Sequence, residues 1–452
     1  MATLWGGRFK KPIDPDFETF SRSIQYDYRL AEYDIYHSLI HTRALKNGGI
    51  LDGQECERIL AALGEVLREV EQGTYTPDAA AEDIHSEIHG RLEKKIGALA
   101  AKLHTLRSRN DQIAFDEKYY CLQVTVNITR RLEDVLDALM QLSRKYPEQP
   151  FVGYTHTQRA QVVLFSDYLG AFFLMFKRDL ERIKEFGDRT IPYIGAGALA
   201  GSSLNRKDYA RAIQDLFGDT ETAVRPVENS LDNVADRDFL AELLSILSIV
   251  QMHLSRLAED FILYSTQEFA LLDLPEEFCT GSSLMPHKKN PDFLELVRGY
   301  TGKIYGNLMA LLTTMKGLPL TYNRDMQLDK EPVFEAVAIV EKELQILAKL
   351  LPGVAVEEAA VARALQDEFL YATEIAEFLV FQRVAFKEAH DIVGRLVRYA
   401  KENKVSLKTM SDGQLAEFHP ALRQQEMARI IDPQYAISSK KTISHKLPEY
   451  HA

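Results

Sequence analysis

Cysteine is scarce: the 452 residues hold three, Cys56, Cys121 and Cys279, too few and too scattered for a disulfide framework or a zinc site. A reduced compartment follows, and a cytoplasmic location is expected. The N-terminus, Met1 to Lys11, lacks the apolar core of a signal peptide. No uninterrupted apolar stretch reaches membrane-spanning length, so neither export nor a membrane partner is expected. Positive charge is in deficit. A formal net charge of −12 and a pI near 5.6 argue against a nucleic-acid partner, because binding phosphate polymers rests on basic surface. An anionic small molecule would have to be met by local Lys and Arg. Internal repeats and low-complexity segments are missing, and so, nearly, is the period-two alternation of strands.

What is present is helical periodicity and enough apolar residues, 46%, to bury a large core. The fold expected is all-α. Glu32 to Asn47 stops at the capping pair Gly48-Gly49, and Asp52 to Gln72 carries Ile59, Leu60, Leu63, Val66, Leu67 and Val70 on one side. Longer runs follow at Asp111 to Lys145, Thr157 to Phe186, Asp232 to Gln267 and Pro291 to Met315. A helix of about thirty residues is about 45 Å long, more than one globular core requires, so four of them imply a bundle. The apolar stripe Leu240, Leu243, Leu244, Leu247, Val250, Leu254, Leu257 is wide, with Ile246 and Ile249 extending it, which suggests packing between bundles of different subunits. Residues 1–110 then form an N-terminal helical domain, 111–360 the central long-helix bundle and 361–452 a C-terminal helical domain.

Gly281 to Pro291, Gly-Ser-Ser-Leu-Met-Pro-His-Lys-Lys-Asn-Pro, joins two of these helices without a helical period of its own. Gly281, Pro286 and Pro291 keep it from becoming helix. Between them stand Ser282, Ser283, Lys288, Lys289 and Asn290, beside the start of a helix, where anions are favoured. The loop reads as one that meets a carboxylate or phosphate, with serine available for proton work, or else as a solvated linker.

Other segments allow two readings each. His156, in Gly153-Tyr154-Thr155-His156-Thr157-Gln158-Arg159, is placed at the start of a long helix as a catalyst or a structural hydrogen-bonder. In Ser108-Arg109-Asn110-Asp111-Gln112, Asp111 serves as helix cap while Arg109 and Asn110 remain free to hold a carboxylate. His85 and His89 lie four apart, but the pattern is not His-Glu-x-x-His and no third ligand is apparent, so they read as helix surface or site lining and no metal is expected. Gly195-Ala196-Gly197 follows too short a strand to be a dinucleotide fingerprint. Tyr322, Gln327 and Lys330 concentrate donors in one short stretch after Gly317-Leu318-Pro319.

Taken in order, these motifs, with Trp5 to Phe9, Ser23-Ile24-Gln25-Tyr26-Asp27 and Glu82-Asp83-Ile84-His85, resemble the fumarase/aspartase superfamily along the whole chain, in its argininosuccinate lyase form. The departures are Thr157, Val162 and His287, where Leu, Pro and Gln are more usual. The resemblance implies a reversible, cofactor-free elimination that splits argininosuccinate into arginine and fumarate. It implies Ser282 as base, with Ser283 as the alternative, and His156 as partner acid or as the group orienting it. It implies substrate binding by Ser23, Asn110, Thr155, Asn290, Tyr322, Gln327 and Lys330, and Arg109 and Lys288 join them as cations that can hold a carboxylate. It also implies a homotetramer whose sites are shared between subunits. Adenylosuccinate lyase, fumarase and aspartase chemistry, and a non-catalytic structural relative, are the rival readings.

Overall fold

The computed structural model describes residues 11–218 and 222–443. The Trp5 to Phe9 motif lies outside them. The first helices are α1 (Pro15–Ser21), α2 (Ile24–Asp27), α3 (Ala31–Asn47), α4 (Gly53–Glu71) and α5 (Ile84–Ile96). The long α6 (Arg109–Lys145) leads into a hairpin of β1 (Pro150–Thr155) and β2 (Gln158–Leu164), then α7 (Phe165–Arg189), α8 (Arg206–Phe217), α9 (Ser230–Ala235), α10 (Asp238–Tyr264), α11 (Asp292–Met315) and α12 (Lys330–Leu350). Shorter helices follow to Ser439. The all-α reading is right, since the strands are few and short.

Local chemistry sets the boundaries. Asp52 and Glu55 make a reciprocal capping box at the start of α4, whose buried face is Cys56, Ile59, Ala62, Leu63 and Val66. α3 ends at Gly48, and Gly49 turns the chain away with φ +75°.

Packing gathers the chain into two compact units. The first comprises Met1–Arg130, Leu180–Ile249 and Thr301–Glu341; the second comprises Arg131–Asp179, Val250–Tyr300 and Lys342–Ala452. In the first, α3 packs on α4 and α8, and its face is unusually polar: Asp34, His37, Ser38, His41 and Thr42 are all buried. In the second, the hairpin packs against the helices after Val356.

Three expectations are corrected. The helix expected from Thr157 begins only at Phe165, because Pro150–Thr155 and Gln158–Leu164 pair as antiparallel strands, with Phe151, Val152, Val162 and Leu164 buried. His156 and Thr157, with φ +53° and +57°, are the two turn residues, so His156 sits at a hairpin tip and not at a helix start. The helix expected over Asp232 to Gln267 is broken at Asp236, which is extended (φ −115°, ψ 154°) and whose carboxylate accepts the amides of Arg237 (2.7 Å) and Asp238 (3.0 Å). Finally, the wide stripe from Leu240 to Leu257 is already buried within the chain, and by length and composition α10 is apolar enough to cross a membrane. Most of its apolar window is covered by the protein itself, the composition of a core helix. Exposed apolar side chains are scattered over the described residues, from Phe17 and Phe20 to Phe381 and Phe386, and α11 carries five of them along one helix: Leu296, Tyr300, Tyr305, Met309 and Leu312.

In the second unit, Glu343 of α12 is buried with one donor, the Gln251 amide at 2.6 Å, which also donates to the Val297 carbonyl. Burial pushes the Glu343 carboxyl up to about 8, against the pull of Gln251. A raised carboxyl favours the protonated fold, so its stability is complete below the ordinary carboxylate range and is lost as pH rises through about 8. Glu343→Gln should therefore be more stable than the parent at pH 9, by roughly 1–3 kcal/mol, with the advantage vanishing near pH 4 in thermal unfolding. An advantage independent of pH would contradict the assignment.

Candidate active site

A cavity of about 840 Å³ opens in the first unit, walled by residues 13–27, 80–93, 109–113 and 322–330. Six of the candidate substrate-binding residues line it together, Ser23, Arg109, Asn110, Tyr322, Gln327 and Lys330, and His85 and His89 line it with them. Hydrogen bonds fix its walls to one another. The Ser23 amide donates to the Glu82 carbonyl (2.9 Å), while Arg324 (2.9 Å) and Gln327 (3.1 Å) both donate to the carbonyl of Ser21. The Asn110 side chain donates to the Ala198 carbonyl at 3.0 Å.

The cavity mixes signs, with Asp27, Glu82 and Asp83 facing Arg109, Arg324 and Lys330. Arg109 is not free to hold a ligand by itself, because its guanidinium reaches Glu82 (3.1 Å), Asp83 (3.3 Å) and the Ser86 hydroxyl (2.7 Å). Lys330 is buried, which disfavours its charge, but Asp329 at 2.9 Å, Glu117 at 3.3 Å and the nearby Asp27 outweigh burial and hold the ammonium above its ordinary range. Burial lifts the Asp27 carboxyl to about 6, while Lys330 and the Ser23 hydroxyl, which donates to it, act the other way.

Beneath the cavity, charged groups are buried in contact with each other. Burial opposes a charge on His85, yet Asp34 at 2.8 Å raises its pKa above the ordinary value. Gln112 donates to the same Asp34 oxygen (2.6 Å), and Asp116 lies 3.9 Å from His85. The ligand atoms of Asp34, His85 and Asp116 fall within 4.8 Å of one another, the one such group among the described residues, but Asp34 and His85 already bond each other. His89 does not join them; its ring lies against His104, centroids 4.4 Å apart. His85 is thus buried and lines the cavity without being helix surface.

Asp111 is a helix residue and not the cap of α6. Ser108 takes the cap position, its hydroxyl accepting the Asn110 amide at 3.2 Å. The Asp111 carboxylate instead accepts the amides of Gly195 and Ala196, both at 3.0 Å. The glycine run that mimics a phosphate loop binds a carboxylate of its own chain. Gly195 and Gly197 have φ +99° and +60°, and a Cβ at 197 would meet the Gly201 carbonyl at 2.3 Å.

The other five candidates are in the second unit, on exposed segments. Thr155 and His156 occupy the hairpin tip. The serine loop is closed at its base by paired bonds between Thr280 and Asn290 (3.0 and 2.7 Å). Within it the Ser282 Oγ accepts two amides, from Met285 (3.0 Å) and Leu284 (3.3 Å). Donors aimed at a hydroxyl oxygen stabilise its alkoxide, and Ser283 makes no such bonds among the described residues. Lys289 is held by Asp273 at 2.8 Å, whereas Lys288 has no ion pair among the described residues.

Sequence reading missed Glu117 and Asp329, which hold the Lys330 ammonium, and Arg237, which pairs with both of them. A signal existed in Asp116-Glu117, charged residues inside the core-facing start of α6, where apolar side chains are expected.

A family model described as a lyase matches residues 7–306, and one described as argininosuccinate lyase C-terminal matches residues 369–438. The argininosuccinate lyase of Pelobacter propionicus is 42% identical over 423 residues, 93% of this chain and 91% of that protein. That of Caldanaerobacter subterraneus is 41% identical over 441 residues, 97% and 98%. The chain belongs to the argininosuccinate lyase family of the fumarase/aspartase superfamily. Solved structures agree on the fold. An EDDS lyase variant with bound fumarate superposes with a TM-score of 0.76 at 23% identity, covering 94% of this chain and 86% of that one. A class II fumarase from Schistosoma mansoni gives 0.75 at 16% identity, covering 92% and 91%. Members of the argininosuccinate lyase family thus share the arrangement of long helices seen here with enzymes of distant sequence.

Replacing Asp111 by Ala leaves the Gly195 and Ala196 amides buried without their acceptor. The expected cost is roughly 2–4 kcal/mol in denaturant unfolding, from two orphaned donors. A change under about 0.5 kcal/mol, as at an ordinary surface position, would contradict this reading of the glycine turn.

Proposed function

We infer that this chain is an argininosuccinate lyase, a carbon–nitrogen lyase of arginine biosynthesis that converts argininosuccinate reversibly into arginine and fumarate. The reading is supported above all by Ser282, whose oxygen accepts two backbone amides inside a closed, Lys- and Asn-bearing loop. A serine is a poor base in water. With the amides of Leu284 and Met285 on its oxygen and Lys288 nearby in sequence, Ser282 can take the proton from the carbon beside a carboxylate. The carbanion that results is an aci-carboxylate with two negative charges, to be held by Lys288, Asn290 and Thr155. His156 then supplies the proton to the leaving guanidinium or orients the group that does. The mixed-sign cavity suits a molecule carrying three carboxylates, an amine and a guanidinium, with Ser23, Asn110, Tyr322, Gln327 and Lys330 as binding residues and Arg109 shaping the wall. The electrons of the broken carbon–nitrogen bond leave with the arginine, so the steps call for no cofactor.

Homotetramer formation is part of this proposal. The exposed side chains Leu296, Tyr300, Tyr305, Met309 and Leu312 of α11 provide the apolar face, and Thr155, His156 and the serine loop stand exposed to complete sites on other copies. A cytoplasmic location fits the cysteine usage. The sequence segments 1–110, 111–360 and 361–452 stand as the proposed domain division, with the long helices in the middle one.

Ser282→Ala should lower turnover of argininosuccinate by about 10³-fold or more, with the oligomer intact, while Ser283→Ala stays within about tenfold of the parent. Near-full activity in Ser282→Ala would remove serine from the base role. Light scattering should give about four times the chain mass of 51.4 kDa. A monomeric mass would contradict the shared-site arrangement.

A further inference from the structure

Lys330 reaches the cavity from a buried square of charges. Its Nζ lies 2.9 Å from one oxygen of Asp329 and 3.3 Å from one oxygen of Glu117. The second oxygens of the same two carboxylates lie 3.0 Å and 2.7 Å from Nε of Arg237. Each carboxylate therefore lies between the two cations and, with both ionised, the square is neutral; burial and the neighbouring Asp329 push the Glu117 carboxyl up, against the pull of Arg237 and Lys330. All four side chains are buried, Arg237 to 1% exposure, and Lys330 alone of the four lines the cavity.

Three separate elements bring the square together: α6 carries Glu117, the break between α9 and α10 carries Arg237, and the start of α12 carries Lys330 with Asp329 before it. The break at Asp236 has a purpose in this light. It turns Arg237 inward, where Arg237 also donates to the Asp236 carbonyl at 2.7 Å. In a low-dielectric interior a carboxylate shared between two cations holds each less tightly than it would hold one.

We propose that Glu117 and Arg237 are positioning residues whose charge balance sets how far the Lys330 ammonium is released to a substrate carboxylate. The inference rests on the reading that Lys330 binds substrate. Without the Arg237 charge, Lys330 faces two carboxylates alone and is drawn back from the cavity. Without the Glu117 charge, two cations share Asp329 and the ammonium is freer. Neither residue touches substrate, so both act mainly on KM.

The test is a double-mutant cycle on the whole protein with argininosuccinate. Arg237→Gln should raise KM by about tenfold or more, Glu117→Gln should lower it by roughly two- to fivefold, and the charge-balanced double variant should return to within about threefold of the parent. In each case kcat should change less than KM. A merely structural pair would raise KM in both single variants, and that result, or a double variant no better than Arg237→Gln, would overturn the proposal. If Arg237→Gln does not fold, Glu117→Gln decides alone: a lowered KM supports the proposal and a raised KM overturns it. An unmodified protein inert toward argininosuccinate overturns the functional reading instead. The same variants are then compared by calorimetric binding of fumarate, where the same order of affinities supports the charge balance and any other order overturns it.

Discussion

The start of α6 buries Asp111, Gln112, Asp116 and Glu117 within two turns, and everything around the cavity answers to that fact. A charged carboxylate left alone in an interior is costly. Each therefore either draws in a donor or a cation from elsewhere in the chain or has its pKa raised toward the neutral form, as burial beside Asp34 and Glu117 does to Asp116. Asp111 draws in the turn at Gly195, and Glu117 draws in Arg237 and Lys330. Asp34 of α3, buried over the same helix, ties down His85 and Gln112. The partners come from α3, α5, the break before α10 and the start of α12, the elements that give the first unit its shape. The cavity is the place where these partnerships reach solvent. A wall held by buried charge is stiff, since moving one member strands another, and stiffness of that kind suits the recognition of a substrate carrying charges of both signs.

The second unit contributes the opposite material property. Its candidate residues occupy a hairpin tip and an eleven-residue loop closed at the Thr280–Asn290 base and tied at Lys289 to Asp273, with most of the loop exposed. Loops of this kind open at low free-energy cost. A serine base needs such a loop, because its alkoxide is tolerable only after water is excluded, and a segment fixed in the closed state would bar the substrate. The two amides on the Ser282 oxygen come from the loop itself, so on the proposed reading part of the stabilisation is built into it.

Much of this was readable from residues alone. The helices over Glu32 to Asn47 and Asp52 to Gln72 and the breaker-bounded serine loop stand where the pattern put them, because they rest on local rules. The hairpin at Thr155 was missed: Val162, Val163 and Leu164 fit a helix as well as a strand over so short a span, and two left-handed residues at His156 and Thr157 leave no Gly or Asn signature. The break at Asp236 was missed because an aspartate whose carboxylate accepts the next two amides, not a proline or glycine, marks it. Arg237 and Glu117 are 120 positions apart and carry no motif, so only the folded chain joins them. The apolar stripe of α10 was read as a contact between subunits, yet its burial is internal, while α11 leaves five large apolar side chains exposed. Periodicity identifies an apolar face but not what covers it.

The central claim is that this cavity and this loop perform an elimination on argininosuccinate with protein groups alone. The most direct test adds argininosuccinate to the purified, metal-stripped protein and follows the ultraviolet absorbance of fumarate. Prompt, protein-dependent formation of fumarate is the expected result. Silence toward argininosuccinate, with turnover of adenylosuccinate, malate or aspartate in its place, would contradict the substrate assignment. Silence toward all four would contradict the account of Ser282 itself.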